Sequence, residues 1–291
     1  MLSLTRMVIL CVVLLCAAGT PAQERFSFFQ ASTPESVERM LKLANLRDDD
    51  IIVDLGSGDG LIVLTAAKMN AKLRGWGVDV DQKLIAESNG VAKAQGVADR
   101  VKFFHQNAFD ADLREATVIT LWLFPELMRL LRPIIFERAR PGTRILTSTW
   151  DLGTWPADKI DAGNPSIHLW TVPARVAGNW SWEFSLADQR VAYAAVLDQQ
   201  FQAAEGVVRA GANREVLTDV KLTGENISFD LAMTLEGFGL TRHEFTGKVR
   251  GDRIEGSAQV VLPDGNRIEL PWHASRTEAS HYFAPTGTAL P

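Results

Sequence analysis

The chain has almost no cysteine. Of its 291 residues only Cys11 and Cys16 carry a thiol, and both lie within the first 22 residues. The remainder therefore cannot form a disulfide, a thiol nucleophile or a cysteine metal site. An excess of positive charge is also absent, since the formal net charge is −5. This charge, on a chain that is 46% hydrophobic, indicates a globular protein and gives no reason to expect a nucleic-acid partner.

A hydrophobic run long enough to cross a membrane is lacking as well. Arg6 precedes an apolar run over residues 7–15, and small residues follow as far as Ala22. The run is too short for a transmembrane helix, and the pattern is typical of a secretory signal peptide. The sequence predicts a signal at residues 1–22, export to the periplasm or the medium, and no stable membrane span after cleavage. The alternative is an uncleaved N-terminal segment that anchors the chain.

The most informative stretch is residues 51–60, IIVDLGSGDG. Its first three residues are β-branched and too few for a helix, so they predict a buried parallel strand. Glycines at alternate positions allow a tight turn and a close approach of the backbone to a ligand. The apolar residues 61–68 then predict a helix. A strand, a glycine turn and a helix in this order form the first part of a nucleotide-binding βαβ unit.

The acids of this stretch indicate which ligand the turn binds. A dinucleotide would place its pyrophosphate at the helix N-terminus, where Asp54 and Asp59 would repel it. Leu61 also stands where the GxGxxG pattern needs its third glycine, which argues against an NAD-dependent oxidoreductase. A cationic ligand suits these acids better. The motif DLGSGDG resembles the first motif of the class I S-adenosylmethionine-dependent methyltransferases, whose cofactor carries a sulfonium and an ammonium group.

The resemblance implies a set of cofactor contacts. Asp79 ends a second predicted strand, 19 residues after Gly60, and matches the carboxylate that binds both ribose hydroxyls. Asp81 is better explained as the N-cap of the next helix. Asn107 follows a third strand where the family often has an aspartate that binds the adenine amine, and its amide oxygen can still accept that bond. The predicted contacts to S-adenosylmethionine (SAM) are Asp54, Gly56, Ser57, Gly58, Asp79, Asn107 and Ala108.

A fourth predicted strand, residues 116–121, leads to the residues expected to face the methyl acceptor. The candidates are Trp122, Phe124 and Pro125. Aromatic rings here could enclose a lysine amine through cation–π contact, or they could belong to the core with Pro125 beginning a helix. The sequence from Leu127 through Pro133 to residues 141–144 resembles that of small protein-lysine methyltransferases related to the ATP synthase c-subunit enzyme. Pro133 predicts a break or kink in the helix.

No catalytic residue and no metal site are predicted. Methyl transfer is an in-line displacement at an activated carbon, and it mainly requires that the nucleophile be held near the methyl group in its unprotonated form. His105 has no partner at the spacing of metal ligands and is interpreted as an ordinary polar residue beside the sheet. The acceptor, protein or small molecule, is not defined by the sequence.

The second half of the chain has a different pattern of apolar and polar residues. Residues 167–172 predict one more strand, placed at the edge of the first sheet, and from Trp180 short alternating runs are separated by turn residues. These runs, marked among others by Phe201, predict an antiparallel meander of about eight strands, either a barrel or a sandwich. The predicted organisation is a Rossmann-like α/β methyltransferase domain at 23–172, a linker at 173–179, an all-β domain at 180–285 and a tail at 286–291.

Two functions are compatible with this organisation. The first is SAM-dependent methyl transfer to an unidentified nucleophile, for which a protein lysine amine is one candidate. The second is an exported, non-catalytic envelope protein in which the fold is retained and the β domain binds a partner or a glycan. Because a scaffold needs neither Asp54 nor Asp79, these acids favour retained cofactor binding. Trp180, Trp182 and Trp272 are interpreted as core residues of the β domain.

Overall fold

The computed structural model describes residues 31–279. The predicted signal peptide and the predicted tail lie outside these residues, and so does the end of the predicted β domain after residue 279. Among the described residues, no helix is both long enough and apolar enough to cross a bilayer.

The first half is a mixed sheet covered by helices on both faces. The helices are α1 Pro34–Ala44, α2 Leu61–Met69, α3 Gln82–Ala94 and α4 Pro125–Arg138, with a short 3₁₀ helix at Ala108–Asp110. The strands are β1 Ile51–Leu55, β2 Arg74–Asp79, β3 Val101–His105, β4 Val118–Leu121, β5 Arg144–Ser148, β6 Lys159–Asp161 and β7 Ile167–Thr171.

Strands β1 to β5 are parallel and lie in the order β3-β2-β1-β4-β5. β7 pairs with β5 and β6 pairs with β7, both in antiparallel orientation. Helices α1, α2 and α3 pack on one face through residues such as Met40 and Val63, and α4 packs on the other through Leu131 and Ile135. The Rossmann-like prediction is confirmed. β7 is not the edge strand, however, because the three-residue β6 pairs with its outer side.

Local signals explain where the helices begin. Thr33 caps α1, since its Oγ1 accepts a hydrogen bond from Ser36 N at 3.3 Å and Pro34 occupies the first turn. Asp81 caps α3 in the same way, through Lys83 N at 2.9 Å. Of the break or kink expected at Pro133, the break is absent, since α4 runs through this residue to Arg138.

The second half is a nine-stranded antiparallel sheet. Its strands are β8 Gly178–Leu186, β9 Gln189–Gln200, β10 Ala203–Ala210, β11 Asn213–Val216, β12 Thr218–Thr223, β13 Asn226–Leu235, β14 Gly239–Arg250, β15 Arg253–Val261 and β16 Arg267–Ala279. The spatial order is β11-β10-β9-β8-β16-β15-β14-β13-β12. Its two outermost strands, β11 and β12, follow each other in the chain. β10 also contacts β12 and β11 contacts β13, so the sheet curls into a nearly closed barrel.

The barrel interior is filled by aromatic side chains. Trp180, Trp182 and Trp272 are buried there, which confirms their interpretation as core residues. His243 is buried among them and contacts Tyr193 Oη at 3.0 Å and the Leu231 carbonyl at 3.2 Å. Burial lowers the pKa of His243 to about 4, so the ring is neutral at pH 7.

The two sheets are joined through a turn of the barrel. Phe201 was expected to mark a strand, but it lies in the turn between β9 and β10 at φ 55°. Its side chain belongs to the hydrophobic core on the α4 face of the first sheet. It stacks on Trp155 with ring centroids 5.3 Å apart, and Trp155 Nε1 donates to Gln202 Oε1 at 2.8 Å.

Candidate functional site

The glycine turn follows β1 directly and is fixed by its own backbone. The amides of Gly56 and Ser57 both donate to the Val78 carbonyl at 2.9 Å, and the amide of Gly60 donates to the Ser57 carbonyl at 2.8 Å. Gly56, Gly58 and Gly60 all have positive φ. A Cβ at Gly60 would lie 2.6 Å from Phe103 Cζ and 2.9 Å from Ser88 Cβ, so this position requires glycine for space as well as for conformation.

Asp54 lies inside the sheet rather than in an open cleft. The residue is 2% exposed, and its Oδ1 accepts a hydrogen bond from Thr120 Oγ1 on the adjacent β4 at 2.7 Å. Burial raises the pKa of Asp54 to about 7, and the negative charges of Asp79 and Asp59 act in the same direction. The bond from Thr120 opposes this rise. Near neutral pH, Asp54 is therefore poised between its neutral and its charged form.

Asp79 ends β2 and holds the turn from the other side. One carboxylate oxygen accepts from the amide of Gly58 and the other from the amide of Asp81, each at 2.9 Å. The residue is half-buried. Each oxygen retains a lone pair, so a carboxylate locked in this position can still accept hydrogen bonds from a diol.

Asn107 and Ala108 follow β3. The Asn107 side-chain oxygen accepts from the amide of Phe109 at 3.1 Å and caps the short 3₁₀ helix that begins at Ala108. The amide of Gln106 donates to the Asp79 carbonyl at 3.0 Å, which ties this segment to the end of β2. Asn107 thus serves a local structural role, and its oxygen has one lone pair left for a ligand.

The three residues expected to face the acceptor have different environments. Trp122 is partly buried and packs against the core on the α1 and α2 face. Phe124 is 39% exposed, and Pro125 forms the first turn of α4. Trp122 thus contacts the core and Pro125 begins a helix, whereas the ring of Phe124 faces solvent at the start of α4, and the role of all three towards an acceptor stays a prediction.

All predicted site residues lie at the carboxyl ends of β1 to β4. The crevice of an open α/β sheet forms where the chain connections change direction, here between β1 and β4. Within residues 31–279, Ser57 Oγ is one of the few buried side-chain polar atoms with no hydrogen-bond partner. An anchored carboxylate and a glycine backbone without a side chain fit a nucleoside that carries positive charge.

Two residues of this crevice were not predicted from the sequence. Thr120 holds Asp54, and its signal was present, because it is the polar residue in the otherwise apolar strand Val118–Leu121. Leu123 covers the turn, since its Cδ2 lies 2.6 Å from the position of a Cβ on Gly56. No pattern in the sequence distinguishes Leu123 from an ordinary core leucine.

The chain is similar in sequence to known methyltransferases. The family model described as the ANTKMT methyltransferase domain matches residues 54–159. A protein-lysine N-methyltransferase of Saccharolobus islandicus is 36% identical over 146 residues, which cover 48% of this chain and 91% of that protein. A ribosomal protein L11 methyltransferase of Actinobacillus succinogenes is 33% identical over 90 residues, 31% of this chain and 30% of that enzyme.

A protein of known structure is also similar in sequence. An RNA methyltransferase from Salinibacter ruber in complex with S-adenosyl-L-homocysteine has 39% sequence identity and a TM-score of 0.49. The match covers 50% of this chain and 96% of that one. The barrel, which begins at Gly178, lies outside residues 54–159, to which the family model is confined.

Proposed function

The chain belongs to the class I S-adenosylmethionine-dependent methyltransferases, and on that premise we propose that it methylates the side-chain amine of a lysine in another protein. The relative from Saccharolobus islandicus, which is aligned over most of its length, is a protein-lysine N-methyltransferase. The resemblance of residues 127–144 to small protein-lysine methyltransferases points in the same direction. Export of the chain stays a prediction.

The observation that carries the cofactor-binding part of the proposal is the anchored carboxylate of Asp79. Its two oxygens are fixed by the amides of Gly58 and Asp81, at the end of the strand next to the glycine turn. A carboxylate in this position is suited to the ribose hydroxyls of SAM. Asp54 adds negative charge beneath the turn when it is ionised, which favours the cationic methionine end. When bound, SAM supplies a methyl carbon that positive sulfur has activated.

The chain's own residues must bring the acceptor nitrogen to this carbon. Phe124 offers an exposed ring next to the crevice, and an aromatic face attracts a lysine ammonium by about 0.5–2 kcal/mol. Trp122, two residues earlier, packs against the core instead. The proposed roles are therefore binding and orientation: Asp79, Asn107 and the turn for SAM, and Phe124 for the acceptor side chain.

The test is a methylation assay on the purified chain. The chain is incubated with isotope-labelled SAM and a protein extract, and the proteins are digested and analysed by mass spectrometry. We expect label on lysine side chains, and less of it with Asp79→Ala at the same SAM concentration. Label confined to other residue types, to nucleic acid or to small molecules would overturn the proposal. Calorimetry with SAM and with NAD supplies the binding control, with heat expected for SAM alone.

A further inference from the structure

A row of paired residues extends from the crevice towards the outer strands. Leu121 at the end of β4 pairs with Thr147 of β5, and Thr147 pairs with His168 of β7. Paired residues on neighbouring strands point to the same face of a sheet, here the face that α4 covers. Since strands are about 4.8 Å apart, His168 lies roughly 10 Å from the end of β4 along this edge.

The loop after β5 borders this row and is strained. Thr149 is β-branched but has φ 70°, and the amide of Trp150 donates to the Ser148 carbonyl at 2.8 Å, which closes a tight three-residue turn. Thr147 Oγ1 donates to the Trp150 carbonyl, and the amide of Thr149 donates to the Ser166 carbonyl at 2.8 Å. These bonds hold a conformation that otherwise costs about 1–3 kcal/mol, and they leave Trp150 46% exposed.

His168 is the titratable side chain behind this loop. In the described part of the chain its Nδ1 is buried with no hydrogen-bond partner, although the residue as a whole is only half-buried. Burial lowers the pKa of His168, and the nearby carboxylate of Asp151 opposes the shift. Burial thus favours the neutral ring, which can take up a proton, and the carboxylate of Asp151 favours the resulting cation.

The other charged groups near His168 either bond to other residues or point to the opposite face of the sheet. Arg132 on α4 covers the same face and donates to the Leu152 carbonyl at 2.6 Å. On β6, Ile160 pairs with His168, so the flanking Lys159 and Asp161 point to the opposite face. Asp161 is paired there with Arg39 of α1 at 2.7 Å. Asp151 is therefore the carboxylate that influences His168.

We propose that Trp150, Asp151 and His168 form the acceptor-amine site, in which the indole and the carboxylate hold the lysine ammonium and His168 receives its proton. This inference rests on the proposed function, because it takes a lysine amine as the acceptor. It assigns the acceptor a position outside residues 122–125, which the sequence predicts to face it. Phe124, three residues beyond Leu121, is exposed as well.

The proton and electron balance of the step is complete. The lysine ammonium gives one proton to the imidazole of His168. The lone pair left on nitrogen forms the new N–C bond with the methyl carbon. The C–S bond breaks, and its electron pair stays on sulfur, which becomes uncharged. His168 then releases the proton to water, so no further reactant is required.

The first test is a binding experiment that does not depend on activity. The full chain is loaded with S-adenosylhomocysteine and titrated with Nα-acetyl-lysine methylamide, and with the norleucine analogue as a control that lacks the amine. Histidine NMR signals are followed, with that of His168 identified by its loss in His168→Gln. We expect the His168 signal to move with the lysine amide alone while that of His105, which contacts the Val80 carbonyl at the far end of the sheet, stays in place. Equal shifts with both compounds, or none at His168, would overturn the inference.

The second test uses variants with matched controls. Trp150→Ala should weaken lysine-amide binding about 3- to 30-fold through loss of the cation–π contact, whereas Leu130→Ala, at another exposed apolar residue, should not. His168→Ala should lower kcat about 10²- to 10⁴-fold with little change in KM, and added imidazole should restore part of the rate. His105→Ala is the control.

The outcomes separate this inference from the proposed function. If lysine is methylated in extracts but neither variant differs from its control, the acceptor site is wrong and the proposed function stands. If the label falls on another kind of residue, the proposed function fails and this inference fails with it. Weaker lysine-amide binding in Trp150→Ala, together with imidazole rescue of His168→Ala, supports the site.

Discussion

Asp54 places a carboxyl group in the interior of the sheet, where its charge is poorly solvated. Its folded-state pKa of about 7 lies above the ordinary value near 4, so the folded chain holds this proton more tightly than the unfolded chain. The contribution of Asp54 to stability is therefore greatest at low pH. It falls as pH rises from about 4 to about 7 and is constant above that, a change of up to about 4 kcal/mol.

The same titration should couple to cofactor binding. A cationic ligand above the glycine turn favours the charged form of Asp54, so SAM binding near pH 7 should release a proton and strengthen as pH rises from 6 to 8. Calorimetry in buffers with different ionisation enthalpies measures the released protons. Asp54→Asn, which cannot ionise, should bind SAM with an affinity that no longer follows this titration. A wild-type affinity that is independent of pH would contradict the coupling.

Asp79 has two tasks, and its removal should affect both. Asp79→Ala should weaken SAM binding by about 1–3 kcal/mol through loss of charged hydrogen bonds to ribose. It should also lower the Tm, because the amides of Gly58 and Asp81 lose their acceptor. Asp264→Ala is the matched control, since Asp264 accepts from the amide of Asn266 at 2.9 Å in a barrel turn. An unchanged SAM affinity in Asp79→Ala would exclude the ribose role.

For single residues, the sequence predicts where each one lies in the fold, but it does not predict the direction of its side chain. The carboxyl ends of parallel strands meet at one edge, so the neighbourhood of Asp54, Asp79 and Asn107 could be predicted. The burial of Asp54 against Thr120 depends on the register between β1 and β4, which no local pattern encodes. The use of the Asn107 oxygen as a cap likewise depends on a 3₁₀ turn that the sequence does not specify.

The glycine turn and the helix after it act as one element, and Gly60 is where they meet. Gly60→Ala should destabilise the chain more than Gly96→Ala, by about 1–3 kcal/mol. Both glycines have positive φ, but a Cβ at Gly96 meets nothing within 4 Å, whereas at Gly60 it would strike Phe103 and Ser88. The difference in free energy of unfolding, measured by denaturant titration, thus isolates the crowding from the backbone strain. Equal losses would mean that Phe103 moves aside at little cost.

Elements with strong local signals could be predicted, and those defined by a neighbour could not. Neighbouring residues in the sequence determine the Thr33 and Asp81 caps and the strand before the glycine turn. β6 is three residues long and exists because it pairs with β7, so residues 151–164 resemble a loop. α4 continues through Pro133 because a proline removes one donor, and the freed carbonyl is that of the exposed Arg129, where water can bond to it.

At the scale of the whole molecule, the change from one sheet to the other was visible in the alternation that begins near Trp180. Whether the second sheet closes was not, because closure depends on two edges, β11 and β12, coming together. The role of Phe201 shows the same limit. Its position among alternating residues predicted a strand of the second sheet, yet its ring completes the core of the first.

Phe201 offers a direct test of how far the two sheets fold as one unit. Its ring stacks on Trp155, meets Phe136 at 5.9 Å and lies 5.6 Å from the guanidinium of Arg132, the residue that holds the Leu152 carbonyl. Phe201→Ala should cost about 3–5 kcal/mol, as other buried phenylalanines do. Alanine at φ 55° retains the backbone strain, so the loss reports packing alone.

Scanning calorimetry should show one transition for the wild type and two for Phe201→Ala, because the variant uncouples the barrel from the first sheet. Val207→Ala, at an exposed apolar residue of β10, is the control and should leave a single transition. Two transitions in the wild type, unchanged by the substitution, would mean that the halves fold independently. One transition in the variant would mean that the other bonds across the junction, such as Ala174 N to the Gly224 carbonyl at 2.7 Å, are sufficient for coupling.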